Sequence, residues 1–226
     1  HELVDDARAA DVLLYNTCSV RHHAEEKVHS RLGWACRRKA DGRRLIVGVL
    51  GCMAQRLGGR LSRRHAGVDI VCGPGQLARL PELIAAAADG GAAPAVVLDP
   101  PRTQAGDPAA AEALDAGRDA ARTPLPGQAY VRVMRGCDQF CTYCIVPFVR
   151  GPERSRPPEA IVEEVRRLAG AGVTQVTLLG QTVSRYRHGR VGLADLLARL
   201  DGVPGLRRLR FVTSFPGSFD RAILQA

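Results

Sequence analysis

Aromatic residues are scarce in this chain of 226 residues: Trp, Tyr and Phe together make up 4% of it, with one Trp, four Tyr and five Phe. Any packed core must therefore rest on Leu, Val, Ile and Ala, which the 46% apolar content allows. Methionine is nearly absent, and no apolar run approaches the ~20 residues that a membrane-spanning helix needs. The start, from His1, is a charged, helix-like stretch without the apolar segment of a signal peptide. These absences lead to the expectation of a soluble, cytoplasmic protein with no membrane partner.

Arginine and cysteine are what the chain does have. Lys and Arg number 32 against 23 Asp and Glu, for a net charge of +9. That balance suits a polyanionic partner, nucleic acid first, although Arg-rich usage also follows from genomic base composition. Seven cysteines without a secretory signal argue against a disulfide framework and for metal or redox chemistry.

Strand and helix signals alternate over residues 1–93. Val12 to Tyr15, Leu45 to Leu50 and Val68 to Cys72 read as strands, and Ala24 to Lys39 and Leu77 to Ala88 as helices. Continuous apolar strands separated by helices predict a parallel sheet covered on both faces. Residues 94–126 are rich in Pro, Ala and Gly, which is linker composition with at most a short helix near 109–121. Alternation resumes over 127–226, with strands at Tyr130 to Met134, Val173 to Leu179 and Leu206 to Thr213. Helices are expected from Pro157 to about Ala169, over 193–200, and from Ser218 onward. Three βα units do not close a barrel, so this second domain is expected to be incomplete.

Cys137, Cys141 and Cys144 form a CxxxCxxC loop directly after a strand. Three thiolates within eight residues can hold three irons of a 4Fe-4S cubane, leaving the fourth iron open to a substrate. Zinc would want a fourth ligand nearby, and the next candidate is His188, far downstream. Gly136 allows a close backbone turn beside the first ligand. Cys18 and Cys52 each sit at the carboxyl end of a predicted parallel strand, the edge where α/β sheets place ligands. Cys72 also ends a strand but reads as a core cysteine, and Cys36 lies in an Arg-rich helix.

The loop resembles the signature of radical S-adenosylmethionine enzymes, in which the open iron takes the amino and carboxylate groups of that cosubstrate. The wider stretch from Met134, MRGCDQFCTYCIVPFVRGPERSRP, is similar to the methylthiotransferases of that superfamily. Asn16-Thr17-Cys18-Ser19-Val20-Arg21 and Gly51-Cys52-Met53-Ala54-Gln55-Arg56 resemble two of the three cysteine motifs that hold an auxiliary 4Fe-4S cluster in that family. The third, a Gly-Cys, has no counterpart here and is expected upstream of His1.

The resemblance implies an α/β fold, a parallel-sheet methylthiotransferase domain followed by a partial radical S-adenosylmethionine (β/α) barrel. It implies two 4Fe-4S clusters and S-adenosyl-L-methionine as cofactors, with Tyr143 and Gln181 beside the cosubstrate. Gly180-Gln181-Thr182-Val183 departs from the family's Gly-Gln-Asn-Val at Thr182. Ser214 and Pro216 stand where the family often has Ser-Pro-His-Pro. His22 and His23 are expected at the surface, and Arg150, Arg154 and Arg156 suit carboxylate or phosphate recognition.

Thr-Cys-Ser-Val-Arg favours the tRNA branch over the branch acting on a ribosomal protein. The implied reaction adds a methylthio group to C2 of N6-isopentenyladenosine beside the anticodon, with tRNA as partner and flavodoxin or ferredoxin as electron donor. The alternatives are a methylthiotransferase acting on N6-threonylcarbamoyladenosine and a non-catalytic iron–sulfur or zinc RNA-binding module.

Overall fold

The polar and apolar faces of the first strands decide the layering. The computed structural model describes residues 2–20, 22–90, 93–101, 112 and 125–226. The chain folds as two compact units, one of His1–Asp107 with Thr142–Arg150, the other of Pro108–Cys141 with Gly151–Ala226.

In the first unit the elements are β1 (Val12–Thr17), α1 (His22–Ala40), β2 (Ile46–Gly51), α2 (Cys52–Leu57), α3 (Arg60–Arg64), β3 (Ile70–Cys72), α4 (Leu80–Ala88) and β4 (Ala95–Val97). A further short helix, α5 (Val146–Arg150), belongs to the same unit. The sheet runs β1-β2-β3-β4, with every neighbouring pair parallel. Side chains alternate across a strand, so Val47 and Val49 pack with Leu32 and Ala35 of α1. Ile46 and Leu50 pack on the other face with Leu83 and Ile84 of α4. Helix α1 can cover its face because Glu25, Val28, Leu32 and Ala35 fall on one stripe. Its last turn carries Arg37, Arg38 and Lys39, which complement the helix dipole.

The expected strands and helices of this unit are present, and the structure adds the short helices α2, α3 and α5 and a fourth strand. Residues Ala95–Val97, inside the stretch of linker composition, pair with β3 in the register Ile70↔Ala95 to Cys72↔Val97. A three-residue edge strand just after Pro94 carries too few apolar residues to show a period, and an edge is where the sheet tolerates Pro. The short helix expected near 109–121 lies outside the described residues, apart from Glu112, whose backbone is helical.

In the second unit β5 (Gln128–Arg132), β6 (Met134–Arg135), β7 (Arg154–Ser155), α6 (Pro158–Gly170), β8 (Gln175–Leu179), β9 (Arg187–His188), β10 (Val191–Gly192), α7 (Leu193–Asp201), β11 (Arg208–Phe211) and α8 (Arg221–Gln225) follow in order. The main sheet is β11-β8-β5, all parallel, and β6/β7 and β9/β10 are small antiparallel ladders. Val131, Val176 and Leu178 meet Ile161, Val165 and Leu168 of α6 and Leu196 and Leu200 of α7 in one core. Pro158 opens α6 where its missing N–H costs nothing. The predicted strand Tyr130 to Met134 is split, because Met134 leaves the main sheet to pair with Ser155. Among the described residues no helix is long and apolar enough to cross a membrane.

A histidine pair joins α1 to the segment after α3. His29 Nδ1 lies 2.9 Å from His65 Nε2, with the rings stacked at 5.2 Å between centroids. Burial, with nearby Arg64, pushes both imidazoles below the ordinary value of 6.5. The unfolded chain therefore takes up protons first as pH falls, so stability from this pair is complete above about pH 6.5 and is lost as pH drops through the lowered folded values. Thermal melting should weaken between about pH 7.5 and about pH 5.5. The double variant His29→Gln/His65→Gln should lose less over the same interval.

Candidate metal centre

The loop that carries Cys137, Cys141 and Cys144 is fixed firmly at its first cysteine. Gly136 has φ 77°, and a Cβ there would overlap the carbonyl oxygen of Pro152. Only glycine fits both that conformation and that approach. The Gly136 N–H donates to Gln181 Oε1 at 2.7 Å, and the Cys137 N–H donates to the Gly151 carbonyl at 3.1 Å. Cys137 is buried, with Sγ 3.5 Å from Thr182 Oγ1. Asp138 and Glu153 each accept from the other's backbone N–H at 3.2 Å. Glu153 in turn holds Arg185 at 2.8 Å. Phe140 adopts a left-handed φ of 46°, which bends the chain toward Cys141.

Cys141 and Cys144 are half-buried, and Tyr143 between them is 91% exposed. None of the seven cysteines forms a disulfide. Among the described residues no three His, Cys, Asp or Glu side chains gather into a metal-holding group. The chemistry of the three loop thiols fits a 4Fe-4S cluster: soft donors, unbonded, on irregular backbone that glycine and a left-handed residue already curve.

In the first unit, strand register brings the other two cysteines to the same edge of the sheet. The last pair of β1 and β2 is Thr17↔Gly51, so Cys18 and Cys52 are each the next residue along. Gly51 has φ 86°, and a Cβ there would lie 2.5 Å from Asn16 Oδ1 and 3.0 Å from the Thr17 carbonyl oxygen. The Gly-Cys pair is thus a steric requirement of this strand edge. Cys18 is exposed, and its Sγ accepts from the Val20 N–H at 3.4 Å. Cys52 is buried, and Arg150 Nε donates to its Sγ at 3.0 Å.

Both segments are tied to a buried carboxylate that the sequence did not single out. Ser19 Oγ donates to Glu25 Oε1 at 2.5 Å, and Arg56 Nε donates to both at 3.2 Å. Arg56 also pairs through Nη2 with Glu25 Oε2. The signal available was an Arg four residues after Cys52 and a Glu on the buried stripe of α1.

Other expected residues fall as follows. Cys72 is fully buried, and burial, with Asp99 nearby, pushes its thiol up to about 11. Cys36 is half-buried against Gly67, its thiol also raised by burial. His22 and His23 are exposed, as are Ser214 and Pro216. Thr182 is buried beside Cys137, and Gln181 uses its amide oxygen on Gly136.

Arg156 departs from the reading of a guanidinium free to recognise a ligand. It is 6% exposed, and it pairs with Glu164 at 2.7 Å and with Glu112. Its Nη1 also donates to the Arg132 carbonyl at 2.6 Å, and Tyr186 Oη donates to the Arg156 carbonyl at 2.8 Å. The hydrogen bond from Arg156 holds the Glu112 carboxyl below the usual carboxylate range. Charge alone gave no warning of burial.

Residues 1–73 match the uncharacterized protein family UPF0004, and residues 131–223 match the radical SAM superfamily. The second match takes in Cys137, Cys141 and Cys144. Relatives named tRNA-2-methylthio-N(6)-dimethylallyladenosine synthase are similar over the whole chain. The protein of Rhodopirellula baltica is 45% identical over 100% of this chain and 48% of its own length. That of Stutzerimonas stutzeri is 42% identical over 100% and 49%. That of Acidithiobacillus ferrooxidans is 44% identical over 99% and 49%. The chain thus spans about half the length of these curated relatives. A solved radical S-adenosylmethionine methyltransferase, TsrM of Kitasatospora setae, shares the fold with a TM-score of 0.57 at 17% identity, over 97% of this chain and 46% of that one.

The burial of Arg156 in the second unit gives a direct test. Glu164 is 4% exposed, and its Oε1 has no hydrogen-bond partner among the described residues. Arg156→Ala would leave that carboxylate uncompensated and should cost about 3–5 kcal/mol in urea unfolding. Replacing both partners by apolar residues, Arg156→Met with Glu164→Leu, should cost less than the single change.

Proposed function

We propose that the protein containing this chain is a tRNA methylthiotransferase that adds a methylthio group to C2 of N6-isopentenyladenosine beside the anticodon. The reading is carried by similarity along the whole chain to proteins named for that reaction. The two sets of free cysteines at strand ends support it.

In this reading Cys137, Cys141 and Cys144 hold one 4Fe-4S cluster, and Cys18 and Cys52 contribute to a second. When bound, the clusters and S-adenosylmethionine supply the electron, the radical and the sulfur and methyl groups. The chain's own residues orient and shield. Gln181 pins Gly136, so the first thiol of the loop leaves the strand in one direction. Thr182 lies against that thiol and keeps water from it. Tyr143 presents an exposed ring suited to stacking on the adenine of the cosubstrate. Glu25 and Arg56 hold the segments of Cys18 and Cys52 in fixed relation. A net charge of +9 favours approach of the tRNA polyanion. Flavodoxin or ferredoxin is the proposed electron donor, and the cytoplasm the place where these partners meet.

Two measurements test the proposal. Anaerobically reconstituted protein should cleave S-adenosylmethionine reductively, and Cys141→Ala should reduce cleavage to background; cleavage that survives Cys141→Ala would sink the enzyme reading. Nucleosides from tRNA of a deletion strain should lack the 2-methylthio group on isopentenyladenosine and regain it on complementation. Loss from threonylcarbamoyladenosine instead would reassign the substrate.

A further inference from the structure

Of Arg56, Arg150, Arg156 and Arg185, one is held differently. Arg56 is met by Glu25, Arg156 by Glu164, and Arg185 by Glu153. Arg150 meets a sulfur: its Nε donates to Cys52 Sγ at 3.0 Å. Cys52 is 3% exposed, so this hydrogen bond is made out of water, where it is strongest. Gly51 and the Thr17↔Gly51 register leave Cys52 no freedom to move along the strand edge. Arg150 is the last residue of α5, which begins two residues after Cys144 and spans one to two helical turns. One short helix therefore connects the end of the CxxxCxxC loop to the sulfur of Cys52, all within the first unit.

We propose that Arg150 is a positioning residue for the second cysteine site: its Nε–H fixes the Cys52 sulfur as a cluster ligand and sets the potential of that cluster. The inference rests on the reading of Cys52 as a ligand given above. A guanidinium is charged at every working pH and offers its N–H groups in a fixed plane. A hydrogen bond from it to a ligating sulfur stabilises the more negative, reduced cluster and raises its reduction potential. Lysine at this position keeps the charge but not the planar Nε–H, so it restores the effect only in part. The arrangement also replaces the expectation that Arg150 recognises a carboxylate or phosphate of a substrate.

The test uses the full-length protein, reconstituted anaerobically, with iron and sulfide content, electron paramagnetic resonance during redox titration, and thermal melting as readouts. Cys52→Ala and Cys141→Ala identify which signal belongs to which cluster. Arg150→Gln should keep its iron, move the signal lost in Cys52→Ala to lower potential, and leave the signal lost in Cys141→Ala in place. Arg150→Lys should recover part of the shift. Selective loss of the Cys52-dependent cluster in Arg150→Gln, with melting unchanged, supports the same assignment. An unmoved potential with full iron content overturns it, as does an equal effect on both clusters. If Cys52→Ala loses neither iron nor a signal, it is the ligand reading of Cys52 that fails, separately from the role of Arg150.

Discussion

Parallel pairing of β1 and β2 is the constraint on which the first cysteine site depends. Two parallel strands in register end side by side, about 4.8 Å apart. Here the last pair is Thr17↔Gly51, and the next residue on each strand is a cysteine. A slip of one residue would turn Val47 and Val49 out of their core and carry Cys52 to the other face. The apolar packing of Leu32, Ala35, Val47 and Val49 therefore also fixes the spacing of two thiols. Gly51 is needed for the same reason, since Asn16 and Thr17 occupy the space that a side chain would take.

The second unit solves a related problem with less rigid means. The segment of Cys137 and Cys141 leaves a short antiparallel ladder, β6/β7, and its entry is held by Gln181, just past β8. Three anchors converge on residues 136–138: the Gln181 amide, the Gly151 carbonyl and the Glu153 carboxylate. Beyond Asp138 the ligand candidates lie half-buried on turns, with Tyr143 extended into solvent. Thiols on such turns would be gathered by a metal as it bound, and ligand binding can then supply the ordering energy.

Strong local patterns made most of this legible in sequence. The apolar run from Leu45 to Leu50 bounded by Gly51, and the stripe of Ile161, Val165 and Leu168, match the observed strand and helix. The cysteine motifs fell at strand ends, where topology gives them meaning. Three residues of β4 between Pro94 and Asp99 carried too little pattern to separate a strand from linker. The split of the strand after Arg132 depends on Ser155, more than twenty residues away, and no local propensity encodes such a partner. Tertiary partners also decided the arginines, since Arg150 and Arg156 look alike in sequence and meet a sulfur and two carboxylates respectively.

That division of the arginines changes what the net charge of +9 means. With few aromatics to wedge loops in place, the chain anchors them by ion pairs: Arg56 on Glu25 beside Cys18, Arg185 on Glu153 beside Cys137, and Arg156 on Glu164 beneath the second sheet. Desolvation offsets most of what such pairs gain when buried, so their net stabilisation is small. Their directional hydrogen bonds still fix where a backbone segment runs. A count of basic residues mixes these structural arginines with exposed ones such as Arg187 and Arg190 on the β9–β10 turn. Attraction to a polyanion belongs to the exposed class, because a guanidinium already satisfied by a buried carboxylate contributes little field outside the protein. The basic composition thus has two physical origins, one serving the geometry of the cysteine segments and the other giving the surface its positive charge.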